Sequence, residues 1–419
     1  MKHCSDAECY ECEFESMAID PAVWRDVDIF LTPPPRLGEA RAARAGIEAE
    51  NAQAARRIAP LLKSPLRFLD ADVAREPALQ TPAAVRMLCA ESHSLLDRWP
   101  KFSAALAAAA AEIAKELDAP VASRQLLLAM ALREHANALR YLGSFREALE
   151  ALAEAEKLFI AGDPSLAPFE LAIVFYIRGT VLVQFDETTG KALDISRRAM
   201  AIFREYGDES RELAALLVEA GALHYLRRST EALAAFEKLI SGARRLNQKA
   251  TLAYALQNAA VSYTDLLRLE EAEHCDAEAV ALYDELGVTT EKTRIAWDLA
   301  IIAVRRGDLR HGAGALDAAR RELQRLGLKN DHALATLDWA EVRLAINQSD
   351  GVAAACREIM PELESVDMMQ KARLALAYVH EALARKEATP ALLREVRTYL
   401  ARLPRRPHIS FRLASQENL

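Results

Sequence analysis

"YGDESRELAALLVEAGALHYLRRSTEALAAFEKLISGARRLN", residues 206–247, opens on an apolar residue followed by glycine and closes on an apolar residue followed by asparagine. The step from 206 to 246 repeats: it carries Tyr206 through Leu246, Leu286 and Leu326 to Val366, and Gly207 through Asn247, Gly287 and Gly327 to Asp367. Glycine, asparagine and aspartate tolerate the left-handed backbone that closes a helix, and the whole chain holds only 15 glycines. Three of them in one column place helix ends at "YGD", "LNQ", "LGV", "LGL" and "VDM". A second column, Ala220, Ala260, Ala300 and Ala340, keeps one small residue where two helices must approach closely. A third, Ala232, Ala272, Gly312 and Val352, follows the short polar breaks "LRRSTEAL", "LRLEEAE", "RRGDLRHG" and "INQSDGV". Each break separates two apolar-periodic segments, so the unit is a helix-turn-helix pair.

Composition agrees. The chain has 419 residues, 52% of them hydrophobic and only 6% aromatic, with a formal charge of −8. Alanine, leucine, glutamate and arginine dominate, and these side chains lose little rotamer freedom in a helix. The fold class expected is all-α. The negative charge argues against a whole-molecule footprint for nucleic acid or an anionic membrane. No apolar run reaches the roughly 18 to 20 residues of a membrane span, and the first residues lack the basic-then-apolar layout of a signal peptide. Cys89, Cys275 and Cys356 stand isolated and read as reduced thiols, so a cytoplasmic protein is expected.

With these columns in place the chain resembles the tetratricopeptide repeat family, whose units carry a small residue in the middle of the first helix, an alanine early in the second and an aromatic four residues later. Ala220, Ala232 and Phe236 occupy those positions, and Ala260, Tyr263 and Ala272 continue the pattern. "YLGSFREALEAL" at 141–152 and "TGKALDISRRAM" at 189–200 read as earlier turns and second helices. The family's first-helix tryptophan and terminal proline are missing, and the period is 40 rather than about 34. The resemblance implies an α-solenoid, a right-handed superhelix of helix-turn-helix pairs, with six repeats over 124–366 and capping helices over 367–404. Residues 1–38, with "LTPPPRL", read as a flexible leader, 39–123 as a helical block and 405–419 as a basic flexible tail.

Catalytic signatures are lacking in the sequence. The nine histidines are scattered, with no i, i+4 pair of a helical zinc site. "FDETTGKAL" at 185–193 has Phe185 where a phosphate loop needs its first glycine and Ala192 where it needs a hydroxyl; "GAGAL" at 312–316 has no preceding strand. A non-enzymatic scaffold or adaptor is the expectation, and lengthened repeats of this kind resemble those of bacterial signalling and regulatory proteins. The resemblance implies that first helices line a concave groove suited to a protein or peptide partner. In the family's register its lining would include Asn137, Arg140, Arg178, Gln184, His224, Tyr225, Gln257, Asn258, Trp297 and Asp298. Asparagine and glutamine can both donate to and accept from a peptide backbone, and Trp297 could supply a rigid anchor. The alternative is a transcription regulator whose N-terminal helical block contacts DNA beneath a repeat sensor array, although no basic recognition helix is evident there.

The first twelve residues, "MKHCSDAECYEC", raise a metal question. His3, Cys4, Cys9 and Cys12 could form a small zinc knot. A redox-active thiol cluster and a plain acidic leader are the other readings. The leader is preferred, with no cofactor required, because four ligands so close together in the chain would force a very tight loop without a fixed second shell.

Overall fold

The computed structural model describes residues 54, 56, 58, 76–96, 99–161, 167–359, 366–406 and 411. His3, Cys4, Cys9 and Cys12 lie outside the described residues, as do the proline-rich stretch and most of 39–75 and 405–419. Every described element is helical. In chain order the helices are α1 (Pro82–Ser94), α2 (Pro100–Glu116), α3 (Val121–Tyr141), α4 (Phe145–Ala161), α5 (Ala167–Leu182), α6 (Thr189–Glu205), α7 (Glu209–Tyr225) and α8 (Ser229–Arg245). They continue as α9 (Lys249–Asp265), α10 (Leu269–Leu286), α11 (Thr289–Arg305), α12 (Leu309–Arg325), α13 (Lys329–Ala345), α14 (Val352–Glu358), α15 (Val366–Ala384) and α16 (Pro390–Arg402). The chain is an all-α solenoid in which successive helices pair.

The turns have a shorter period than the sequence columns suggest. Gly207, Asn247, Gly287 and Gly327 have φ of 71°, 55°, 72° and 75°, and midway between them Arg227, Leu267, Gly307 and Asn347 have φ of 58°, 58°, 89° and 57°. A left-handed residue therefore recurs at half the sequence period all the way from Gly207 to Asn347. Past it, the next amide reaches back to close the helix: Asp208 N–H to the Phe203 carbonyl at 2.9 Å, Arg268 to Tyr263 at 2.9 Å, and Gln348 to Arg343 at 2.8 Å. These are the six-to-one bonds of a Schellman motif. Asp208 and Asp308 then cap the next helix, accepting from Arg211 N–H at 3.0 Å and His311 N–H at 3.2 Å. Both turns of each pair are built alike.

The fifth column position behaves otherwise. Val366 and Asp367 begin α15 instead of ending a helix, so "VDM" is not a terminus. The preceding second helix stops early, at Glu358, ahead of Pro361, which has no N–H with which to continue it.

The chain divides into two compact units, with the main break in the turn after α7. In the N-terminal unit, Leu88, Leu106, Ile113, Leu127 and Ala131 share one apolar core, so α1 and α2 pack onto α3 without a gap. Ser92 and Ser103 lock α1 to α2 reciprocally, each hydroxyl donating to the other's carbonyl, at 2.9 and 2.7 Å. In the C-terminal unit, Leu316, Leu337, Ile359, Leu376, Leu393 and Leu400 form the corresponding core. Here the order of the last pair is altered: α16, rather than α15, lies along α13.

First and second helices bury different amounts of themselves. In α8 the buried residues Ala232, Leu233, Phe236, Leu239 and Ala243 fall on one stripe, as the 3.6-residue period requires. In α9 burial is nearly all round, from Ala250 through Leu256 to Tyr263. Ala260, Ala300 and Ala340 are buried, and the third column shows why it is small. A Cβ on Gly312 would lie 2.5 Å from Val304 Cγ2 and 3.3 Å from the Ala300 carbonyl oxygen. Helix α12 rests its backbone against α11 at that point.

Candidate functional site

In the N-terminal unit the first helices α3, α5 and α7 carry Asn137, Arg140, Arg178, His224 and Tyr225, with Gln184 just beyond α5. Asn137 is fully buried; its Oδ1 accepts from Arg140 Nε at 3.1 Å and Nη2 at 2.8 Å, while its Nδ2 has no partner among the described residues. The Arg140 guanidinium also lies over the Tyr141 ring at 4.3 Å. Arg178 is ion-paired to Glu156 at 2.7 Å, and Gln184 Nε2 donates to the Thr180 carbonyl at 3.2 Å. His224 and Tyr225 meet edge to face with centroids 5.4 Å apart, and the tyrosine is 39% exposed. Of these residues, Asn137 and Arg140 form a fixed pair and Tyr225 presents an open ring.

Beneath them lies a charged cluster that sequence reasoning missed. Arg133 is 1% exposed and donates to Glu134 Oε1 from Nε at 3.0 Å and Nη2 at 2.9 Å, and from Nη1 to Glu170. His93 Nδ1 lies 3.5 Å from Glu134. Although burial opposes the charge, Glu170 and Glu134 raise the pKa of Arg133 above its ordinary value, and Arg133 and His93 hold Glu134 below the usual carboxylate range. Removing one partner from such a buried pair is costly, by about 3–5 kcal/mol. The adjacent pair "RE" on a helix carries no spacing signal, and Glu170 sits on another helix, so nothing local marks the cluster.

In the C-terminal unit the first helices are α9, α11 and α13. The Tyr283 hydroxyl donates to Gln257 Oε1 at 3.0 Å, and Asn258 Nδ2 donates to the Tyr254 carbonyl on its own helix at 2.9 Å. Trp297 Nε1 donates to Asp338 Oδ2 at 3.0 Å, one repeat further on. Asp338 is in turn bound by Arg397 of α16, Nε to Oδ1 at 2.8 Å, and Arg394 holds Glu341 at 2.5 Å. The Arg397 guanidinium lies 6.0 Å from the centre of the Trp297 ring. Trp297 is therefore a half-buried ring whose N–H is already engaged, on a face shared by α11, α13 and the last helix.

Two carboxyls in this unit depart far from ordinary behaviour. Asp298, next to the tryptophan, is pushed up to about 7 by burial and by Glu291, against the opposing pull of Arg294 and Arg397. Asp276 on α10 is completely buried, neither oxygen has a hydrogen-bond partner among the described residues, and burial with the nearby Asp298 and Glu273 raises it to about 8. Asp276 therefore keeps its proton at neutrality for the most part, and Asp298 is about half protonated there. Asp276 lies on a second helix, outside the register that selected Asp298. A buried acid among alanines was its available signal.

The three described cysteines, Cys89, Cys275 and Cys356, are buried, and burial pushes their thiols up, Cys275 to about 11 and Cys356 to about 12. That is the environment of inert thiols. Among the described residues no group of three or more histidine, cysteine, aspartate or glutamate side chains could hold a metal ion, and no helix is long and apolar enough to cross a membrane.

No family model matches the chain, and no curated protein matches it. Solved structures do. The apo form of RapI is similar with a TM-score of 0.51 at 17% identity, over 66% of this chain and 97% of that one. A signal-transduction ATPase with a tetratricopeptide repeat sensor from Pyrococcus horikoshii is similar with a TM-score of 0.56 at 15% identity, over 86% of this chain and 53% of that one. A Rap protein complexed with Competence and Sporulation Factor is similar with a TM-score of 0.49 at 15% identity, over 84% and 99%. At these identities the likeness is one of fold: the helix pairs are tetratricopeptide-like repeats.

Proposed function

We propose that this protein is a non-enzymatic adaptor or sensor of a regulatory pathway, and that the first-helix face of its repeats binds an extended segment of a peptide or protein partner. The observation that carries the reading is the Trp297–Asp338 hydrogen bond. It sets equivalent faces of consecutive first helices side by side, with an aromatic ring, two carboxyls and the Asn258 amide held by bonds that already exist in the free protein. A surface fixed in advance loses less entropy on binding than one ordered by its ligand. The fold shared with a repeat array that serves as a sensor in the Pyrococcus horikoshii ATPase supports the same reading.

The test is a random-peptide display selection against the full chain, followed by fluorescence anisotropy with the selected peptide. Replacing Asn258 and Trp297 with alanine is expected to weaken binding about tenfold, or about 1.4 kcal/mol, with helicity unchanged by circular dichroism. A selection that enriches no peptide, or a folded double variant that binds equally well, refutes the reading.

A further inference from the structure

The C-terminal unit holds a cavity of about 650 Å3 away from the Trp297 face, between α12, α13 and α14. Its walls are small, Ala313 and Gly314 on one side and Ala354 and Ala355 on the other, with Trp339 between. The Trp339 ring is held by two guanidiniums, Arg320 at 4.5 Å and Arg343 at 5.6 Å from its centre. Four arginines and three acids line the cavity. Of the acids, Asp317 alone is ion-paired among the described residues, taking Arg320 and Arg321 at 2.6 Å each.

The remaining charges stay apart. Arg343 donates only to the neutral Gln348 side chain and the Asp350 carbonyl, at 2.6 and 3.3 Å, and its buried Nε has no partner among the described residues. Arg310 and the carboxylates of Asp350 and Glu358 likewise form no ion pair among the described residues. Arg310, Asp350 and Glu358 are exposed along this open cavity and Arg343 is half-buried; two cations and two anions that do not reach each other leave a gap that a ligand bearing both charges would bridge. A simple anion would satisfy the arginines and be repelled by the acids. Two guanidiniums sharing Asp317 leave one positive charge over, which favours an acidic side chain on the ligand.

We propose that this cavity binds a small zwitterion of amino-acid type with an acidic side chain, its carboxylate taken by Arg310 and Arg343 and its ammonium by Asp350 and Glu358. Guanidinium groups match carboxylates bidentately, and ammonium groups are satisfied by carboxylates as point charges. The ligand is a free acidic amino acid or a dipeptide carrying one. The inference is independent of the peptide-binding face.

Isothermal titration calorimetry of the full chain, with L-glutamate and with alanyl-glutamate, tests it and separates the two sources. Saturable binding is expected for at least one of them, weakened about tenfold by N-acetylation and likewise by conversion of the α-carboxylate to an amide. Arg310→Gln and Glu358→Gln should each weaken it by a similar factor. Gly314→Leu offers a packing control, because a Cβ there meets nothing within 4 Å. It should weaken binding by narrowing the cavity while helicity is kept. No saturation by about 10 mM of either ligand overturns the proposal. Equal binding of the N-acetylated form, stronger binding of inorganic pyrophosphate, or undiminished binding by Gly314→Leu overturns it as well.

Discussion

Leu267 has φ of 58° and is 67% exposed, a combination that a branched apolar side chain adopts at a cost. Leu267→Gly is expected to raise stability by about 0.5–1 kcal/mol, whereas Gly287→Ala, at φ of 72°, should lower it by about 1 kcal/mol, both read from chemical denaturation. Opposite signs at two chemically similar turns would show that backbone handedness, and not side-chain burial, sets the balance. The four positions 207, 247, 287 and 327 are legible in the sequence because their conformation is written into glycine and asparagine. Arg227 and Leu267 adopt it under tertiary constraint, and no residue preference announces that.

Asp276 supplies a pH dependence with a defined sign. Its folded pKa of about 8 lies above the ordinary 3.8, so its burial is tolerated fully below about pH 4 and opposes folding increasingly as pH rises toward 8. Asp298, at about 7, acts in the same direction. Asp276→Asn, which mimics the protonated acid, should raise the melting temperature at pH 8, change it little at about pH 3.5, and flatten the fall in stability between those values. The gain at pH 8 should be of the order of a few kcal/mol. An unaltered pH profile would mean that Asp276 is ionised in the folded protein.

At the scale of helices, the close approach of neighbours decides what each position accepts. Ala260→Leu should overpack the array and cost about 1–3 kcal/mol. Gly312→Ala should also destabilise, since its Cβ would meet Val304 and the Ala300 carbonyl oxygen of α11. A change at exposed Glu270 should cost little. Equal melting temperatures for the three variants would remove the register. That register rests on columns one full period apart, which is why the small positions are readable from sequence. The docking of α16 on α13 is not: it depends on Arg394 and Arg397 meeting Glu341 and Asp338 from a distant part of the chain. For the same reason Trp297, read from sequence, is an open anchor, whereas its partner lies one repeat away.

Across the whole molecule, packing runs mainly between helices close in sequence, so stability should be distributed like that of a one-dimensional array. Ala300→Leu is expected to reduce native-state hydrogen-exchange protection most in α11, α12 and α13, less in α9, and not at all in α1 to α4. Uniform loss of protection along the chain would show a single cooperative unit instead.

The turn that recurs at half the sequence period also fixes how such a chain can change its length. Each turn is geometrically equivalent to the next, so excising one helix with its turn would leave a backbone that still closes. Every helix beyond the cut would then exchange roles, and helices made for burial nearly all round, such as α9, would have to serve as one-sided outer helices, while α8 and its kin would bring charged faces inward. Losing or gaining a whole helix pair keeps inner and outer helices in step. A chain of this construction can be edited in whole pairs, although its backbone counts in halves.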